Sequence, residues 1–244
     1  MSAKARTIFI TGTDTGAGKT VLTALLLRYL RAQGFKTAAM KPFCSGSRED
    51  VDLLQALQEG ERSRKEINPF FYRRPLAPLA ADPKRLGNRP LDTVLQAVFA
   101  FQKDQEITLV EGCGGLCVPL APGLLVLDVI AALGCDVIVS AINKLGTLNH
   151  TLLTVRALQD RGLKGITVVL MNRKPQDASS RTNFASLKTL LGGIPLFELA
   201  DMGLQASDVE PVIKYAKKME KVLARISHMN TLSSAFGRRP KRSR

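Results

Sequence analysis

The chain has 244 residues, 45% of them apolar, and a formal net charge of +14. That is enough for one substantial α/β core and too little for two full domains. No run approaches the roughly 18 uninterrupted apolar residues that a membrane span needs, so a soluble protein without a membrane partner is expected.

Residues Met1 to Arg6 lead straight into the first apolar run, which leaves no room for a secretory hydrophobic stretch and points to the cytoplasm. That run, Thr7 to Thr11, reads as a strand. Next comes Gly12-Thr13-Asp14-Thr15-Gly16-Ala17-Gly18-Lys19-Thr20, and then an amphipathic helix over Val21 to Leu30. A strand, a glycine-rich turn and a helix start in this order aim backbone N–H groups and a helix N-terminus at one anionic point. Lys19 then bridges the β- and γ-phosphates of a nucleotide, and Thr20 offers its hydroxyl to Mg²⁺. The strict pattern has glycine where Thr13 stands, with Gly12 one residue earlier.

Further apolar runs without polar alternation follow at Thr37 to Met40, Ile107 to Val110, Val137 to Ala141 and Ile166 to Met171. Strands of this kind are buried on both faces, so the expected fold is an α/β parallel sheet with helices on each side. Ligands in such sheets collect at the carboxyl ends of the strands, and residues just past each strand become site candidates. After the second strand these are Lys41, Cys44, Ser45 and Gly46, then Asp50 and Asp52. Lys41 suits charge that grows during phosphoryl transfer. Asp52 heads the helical stretch Val51 to Glu59 and is taken as a metal carboxylate, with Asp50 the alternative and a plain helix-dipole charge the bland reading of Asp52.

After the third strand come Glu111, Gly112, Gly114 and Gly115. A carboxylate placed there needs a cation, which points Glu111 at Mg²⁺; capping its own glycine turn is the other reading. After the fourth, Gly146, Thr147 and Asn149 start a second helix that runs through Arg161, with Thr147 as its cap. It serves either as a second anion site or as an ordinary helix. His150 in its first turn reads as a structural or surface residue. After the fifth strand, Asn172 offers a donor and an acceptor that fit an adenine edge.

Cys44, Cys113, Cys117 and Cys135 read as reduced thiols, since the Cys113 and Cys117 pair has no matching second half for zinc. Arg238, Arg239, Lys241, Arg242 and Arg244 crowd the C-terminus. One domain over 1–230 with a basic disordered tail over 231–244 is expected. Without interleaved aromatics or a helical face, the tail does not point to nucleic acid.

Five segments together carry a family resemblance: Phe9 to Thr20, Met40-Lys-Pro-Phe-Cys-Ser-Gly46, Asn68-Pro-Phe with Pro75-Leu-Ala-Pro78, Leu109-Val-Glu-Gly-Cys-Gly-Gly115, and Lys144-Leu-Gly-Thr-Leu-Asn-His150. Over about residues 6 to 200 the chain resembles dethiobiotin synthetase. The resemblance implies a three-layer P-loop NTPase fold and an ATP- and Mg²⁺-dependent cyclo-ligase that carboxylates 7,8-diaminononanoate with CO₂. It implies ATP on residues Gly12 to Thr20 and Asn172, catalysis by Lys19, Lys41 and Thr15, and Mg²⁺ on Thr20, Asp52 and Glu111. Substrate falls to Ser45, Glu111, Gly114 and Asn149. It further implies a homodimer in which the Gly146 to His150 loop reaches the neighbouring site. The chain departs from the pattern at Gly16, where an acidic residue is common, at Leu79, where histidine is common, beyond Asp201, and in the tail. The alternative is a P-loop switch ATPase of the partition or metal-insertion type, although Thr13 and Asp14 do not supply the additional lysine such loops often carry.

Overall fold

The computed structural model describes residues 5–204 and 208–227. The basic tail over 231–244 lies outside the described residues. In chain order the elements begin with β1 (Arg6–Gly12), α1 (Lys19–Ala32), β2 (Thr37–Met40), β3 (Phe43–Ser45), α2 (Glu49–Leu57), α3 (Arg64–Ile67) and β4 (Phe70–Tyr72). They continue through α4 (Pro78–Ala81), α5 (Pro90–Phe101), β5 (Ile107–Glu111), β6 (Pro119–Ala121), β7 (Leu124–Leu125) and α6 (Val126–Leu133). The remainder are β8 (Asp136–Ile142), α7 (Thr147–Asp160), β9 (Ile166–Met171), α8 (Ser180–Leu190), β10 (Leu196–Leu199), α9 (Val209–Lys218) and α10 (Glu220–Ile226).

Six strands form one sheet in the order β10-β9-β8-β1-β5-β2, and every pairing in it is parallel. Strands β2, β5 and β9 are buried along their whole length. That is why they carry continuous apolar runs: helices cover both faces, and no face is left for polar residues. The β1 strand lies centrally between β5 and β8, so the loop that leaves it opens in the middle of the sheet's carboxyl edge. Its successor α1 buries Leu22, Leu25, Leu26, Leu27 and Leu30 completely. This apolar stripe recurs at helical spacing and fixes the direction in which the loop faces.

Five of the six strands lie where the apolar runs predict them. The sixth, β10, escapes the pattern because three of its four residues are only half-buried or exposed at the sheet edge. A separate parallel pair, β3 with β4, places Ser45 opposite Tyr72. The four cysteines are free thiols. Among the described residues no helix is long and apolar enough to cross a membrane.

Thr147 does not cap α7. Gly146 occupies the cap position with φ 92°, a left-handed conformation that glycine adopts freely. Thr147 is buried in the first turn, its hydroxyl 3.5 Å from that of Thr151.

Candidate active site

The loop after β1 is braced from behind. The Thr13 amide donates to the Ser140 carbonyl at 3.0 Å, and the Ser140 hydroxyl donates to the Ala17 carbonyl at 2.6 Å. Gly18 ends the loop with φ 86°, and a Cβ there would sit 3.2 Å from Met171 at the end of β9. Only glycine fits this turn and this contact. Among the described residues, the amides of Gly16, Ala17 and Gly18 donate to no protein acceptor. Such a run of free N–H groups beside a helix N-terminus is a cradle for phosphate.

A cleft of about 560 Å³ opens over this loop. Thr15 to Val21 line it without a break, facing Lys41, Ser45, Asp50, Cys113 and Gly114. Gly12, Thr13 and Asp14 form the loop behind it; the Asp14 carbonyl accepts from Lys19 Nζ at 3.0 Å. The turn after β5 presses against them, with Gly115 packed on the carbonyls of Gly12 and Thr13 and Gly114 beside the Thr15 hydroxyl.

Two ammonium groups stand in the cleft, each on a residue only 7% exposed. Burial lowers the Lys19 pKa and Lys41 adds to the fall, while Glu111 opposes it. Burial also acts to lower the Lys41 pKa, but Glu111 and then Asp50 outweigh it and leave the ammonium above its usual range. Lys41 Nζ donates to Glu111 Oε1 at 2.8 Å and is paired with Asp50 as well. The Thr20 hydroxyl donates to the same Glu111 oxygen at 2.7 Å. Glu111 is fully buried, and its Oε2 has no partner.

The carboxylate brought to the cleft from α2 is Asp50, not Asp52. Asp52 faces the other way, with its Oδ1 2.7 Å from Arg64 Nε. The helix decides this: Asp50 shares a stripe with the buried Leu53, Leu54 and Leu57, whereas Asp52 is turned away from it.

Asn68 is a supporting residue that the strand-end argument does not single out. Its Nδ2 donates to the Lys41 carbonyl at 2.9 Å and the Pro42 carbonyl at 3.1 Å, which holds the turn carrying Lys41. Ser140 is another; a lone hydroxyl near the end of an apolar strand is the only sequence signal for it.

Asn149 is exposed and does not line the cleft of its own chain. His150 is exposed too. Asn172 sits between Met171, which touches the loop, and Arg173, which lines the cleft. Its amide is held by Asn143, Gln176 and Glu198. Among the described residues no group of three or more His, Cys, Asp or Glu side chains could hold a metal by itself.

Comparison with known proteins decides between the families that such a loop allows. The AAA domain family matches residues 6–235. The ATP-dependent dethiobiotin synthetase BioD of Anaeromyxobacter sp. (strain Fw109-5) is 40% identical over 80% of this chain and 90% of its own. The namesake from Bacillus subtilis (strain 168) is 36% identical over 77% and 84%.

This chain belongs to the ATP-dependent dethiobiotin synthetase family.

The family is ATP-dependent, so ATP binding belongs to this P-loop chain as well. The solved structures that resemble it share the fold alone. The septum site-determining protein MinD from Pyrococcus horikoshii OT3, complexed with Mg-ADP, has a TM-score of 0.62 at 16% identity, covering 93% of this chain and 98% of its own. A putative plasmid partition protein from Borrelia burgdorferi B31, bound to AMPPNP, has a TM-score of 0.62 at 11% identity, covering 93% and 100%.

Proposed function

We propose that this chain joins CO₂ to 7,8-diaminononanoate and closes the ureido ring of dethiobiotin with the hydrolytic energy of ATP. What supports this reading is the convergence on one cleft of a phosphate cradle, two buried ammonium groups, the Asp50 carboxylate and the Ser45 hydroxyl, with Glu111 buried behind the Lys41 ammonium.

One amine of the substrate attacks CO₂ and loses a proton to give a carbamate. A carbamate oxygen then attacks the γ-phosphorus, the bond to the β-phosphate oxygen breaks, and ADP leaves. The neighbouring amine attacks the carbamoyl carbon, and inorganic phosphate departs with the carbamate oxygen. Lys19 and the loop amides hold the β- and γ-phosphates, and Lys41 faces the charge that grows on the transferring group. Ser45, with Thr15 and Gly114 opposite, borders the space left for carbamate and diamine.

The residues present fit a divalent cation. Glu111 Oε2 is buried and unpartnered, and Thr20 and Asp50 stand beside the same carboxylate or its ammonium partner. Mg²⁺ takes few protein ligands and completes its shell with water and phosphate, so Thr20, Asp50 and Glu111 suffice. When bound, it would neutralise charge on the β- and γ-phosphate oxygens.

A homodimer is part of this reading. Leu145 is 78% exposed and Leu153 57% exposed, on either side of Asn149 at four-residue spacing. Exposed leucines flanking a polar group suit contact with a second copy, and Asn149 then serves the neighbour's substrate. A cytoplasmic location follows from ATP as co-substrate. No role in nucleic-acid binding is assigned.

The test is isotopic. With ¹⁸O-labelled bicarbonate as the CO₂ source, assayed before the label washes out, label should appear in the released phosphate. Phosphate free of label, with ring closure proceeding, would contradict phosphorylation of the carbamate.

A further inference from the structure

The strands on either side of β1 furnish opposite ends of the cleft. On one side, β5 and β2 deliver Glu111 and Lys41; on the other lie β8 and β9, and the chain leaving β9 delivers Arg173. Met171 ends β9 and packs on Gly18, where a Cβ would sit 3.2 Å from it. Arg173 therefore follows two residues after the contact that anchors the end of the phosphate loop. Its side chain is exposed and lines the cleft.

That guanidinium is uncommitted. Among the described residues it makes no hydrogen bond and no ion pair. Asp201 senses its charge, but the Asp201 oxygens accept from the Gly203 amide at 3.0 Å and the Lys174 amide at 2.8 Å. The other cleft cations are occupied. Lys41 is matched by both Glu111 and Asp50, and Glu49 adds a further carboxylate to the lining. Without Arg173, the two lysines would face three carboxylates, a balance of charge that opposes an anionic ligand.

We propose that Arg173 binds the nucleotide, its guanidinium donating to the α-phosphate at the end of the cleft opposite Lys41. The inference rests on the nucleotide-site reading above, in which Lys41 faces the γ-phosphoryl group. A guanidinium offers paired N–H donors to two phosphate oxygens and stays charged throughout the working pH range. Arg173 thus fixes the nucleotide from the side of the group that is not transferred.

The experiment titrates the full chain calorimetrically with ATP and with ADP, each with Mg²⁺, and compares the wild type with Arg173→Ala, Arg173→Lys and Lys174→Ala. Arg173→Ala should weaken ATP and ADP alike, by about tenfold, the scale of one charge-assisted hydrogen bond at an exposed site. Arg173→Lys should recover part of that loss, because it keeps the charge and gives up the planar fork. Lys174→Ala removes a neighbouring exposed cation that does not line the cleft, and should move either dissociation constant by less than about twofold. In steady-state assays the Arg173→Ala loss should fall on KM for ATP rather than on kcat or on KM for the diamine. Wild-type affinity for both nucleotides in Arg173→Ala would overturn the proposal while the nucleotide site stands. A loss for ATP alone would overturn it by moving Arg173 to the γ-phosphate, and an equal loss in Lys174→Ala by reducing Arg173 to a general field. A loss carried by the diamine KM would do so by assigning Arg173 to the acceptor. If the wild type binds neither ATP nor ADP, the nucleotide-site reading fails and takes the proposal with it.

Discussion

Lys41 Nζ stands 2.8 Å from Glu111 Oε1, at the meeting of the turn after β2 with the end of β5. The same ammonium is paired with Asp50 on α2, so one buried cation ties three parts of the chain together across the floor of the cleft.

Removing that ammonium should destabilise the protein. Lys41→Met removes the ammonium paired with Glu111 and Asp50 and leaves only the more distant Lys19 acting on Glu111, and breaking a buried pair costs about 3–5 kcal/mol. Asp50 is partly exposed, so a loss near about 3 kcal/mol in urea unfolding is expected. The Lys41 pKa lies above its usual value, so the ammonium stays charged through the alkaline range, and the stabilisation is lost only as pH rises through that raised pKa. A variant as stable as the wild type would refute the role of the pair.

The two aspartates of α2 should separate cleanly. Asp50→Asn should raise the Mg²⁺ concentration needed for half-maximal turnover by about tenfold, on the scale of losing one charged ligand. Asp52→Asn, which breaks only the partly exposed contact with Arg64, should leave the magnesium titration unchanged. The reverse result would restore Asp52 to the metal.

The sequence pattern carries the centre of this site and loses its periphery. From β1 to α1 everything is local: an apolar run, a glycine turn and a helix stripe, each recognisable within a few residues. Glu111 and Lys41 are legible because one ends a buried strand and the other directly follows one. Asp50 stands in the sequence reading only as the alternative to Asp52, because helix position outweighs place in the sequence, although the Asp50, Leu53, Leu54 and Leu57 stripe carries the signal. The partners of Asn172 are not legible at all. Asn143 and Glu198 reach it from two other strand ends, and β10, which carries Glu198, has no strand-like apolar run. Thr147 resembles a cap, but Gly146 adopts the left-handed turn first.

ATP affinity should fall early on the alkaline side. Burial, with Lys41 next to it, holds the Lys19 pKa of the nucleotide-free protein below the ordinary lysine value of 10.5. As pH rises through that lowered value, Lys19 loses the proton that phosphate binding needs, so the dissociation constant should increase below pH 10.5. Between the folded and unfolded values the unfolded chain binds more protons, so the Lys19 contribution to folding becomes less unfavourable as pH rises. Lys19→Arg keeps its charge and should flatten the limb. Affinity that stays constant to pH 10.5 in the wild type would argue against Lys19 as the phosphate cation.

The proposed homodimer should come apart when the exposed leucines that flank Asn149 are changed. Leu153→Glu places a charge on a 57% exposed apolar position and should give a monomer by light scattering. Asn149→Ala should weaken diamine binding about tenfold while leaving ATP binding nearly unchanged, as expected for one lost hydrogen bond to a charged group. Equal effects on both ligands would place Asn149 outside the neighbour's substrate site.

The most direct measurement of the central claim is ADP formation with Mg²⁺, bicarbonate and ATP, with and without 7,8-diaminononanoate, read alongside the product mass. The account predicts that ADP appears at an appreciable rate only with the diamine, one per product, and that the product gains one CO₂ and loses one water. ADP formed equally fast without the diamine, with no new mass, would contradict it.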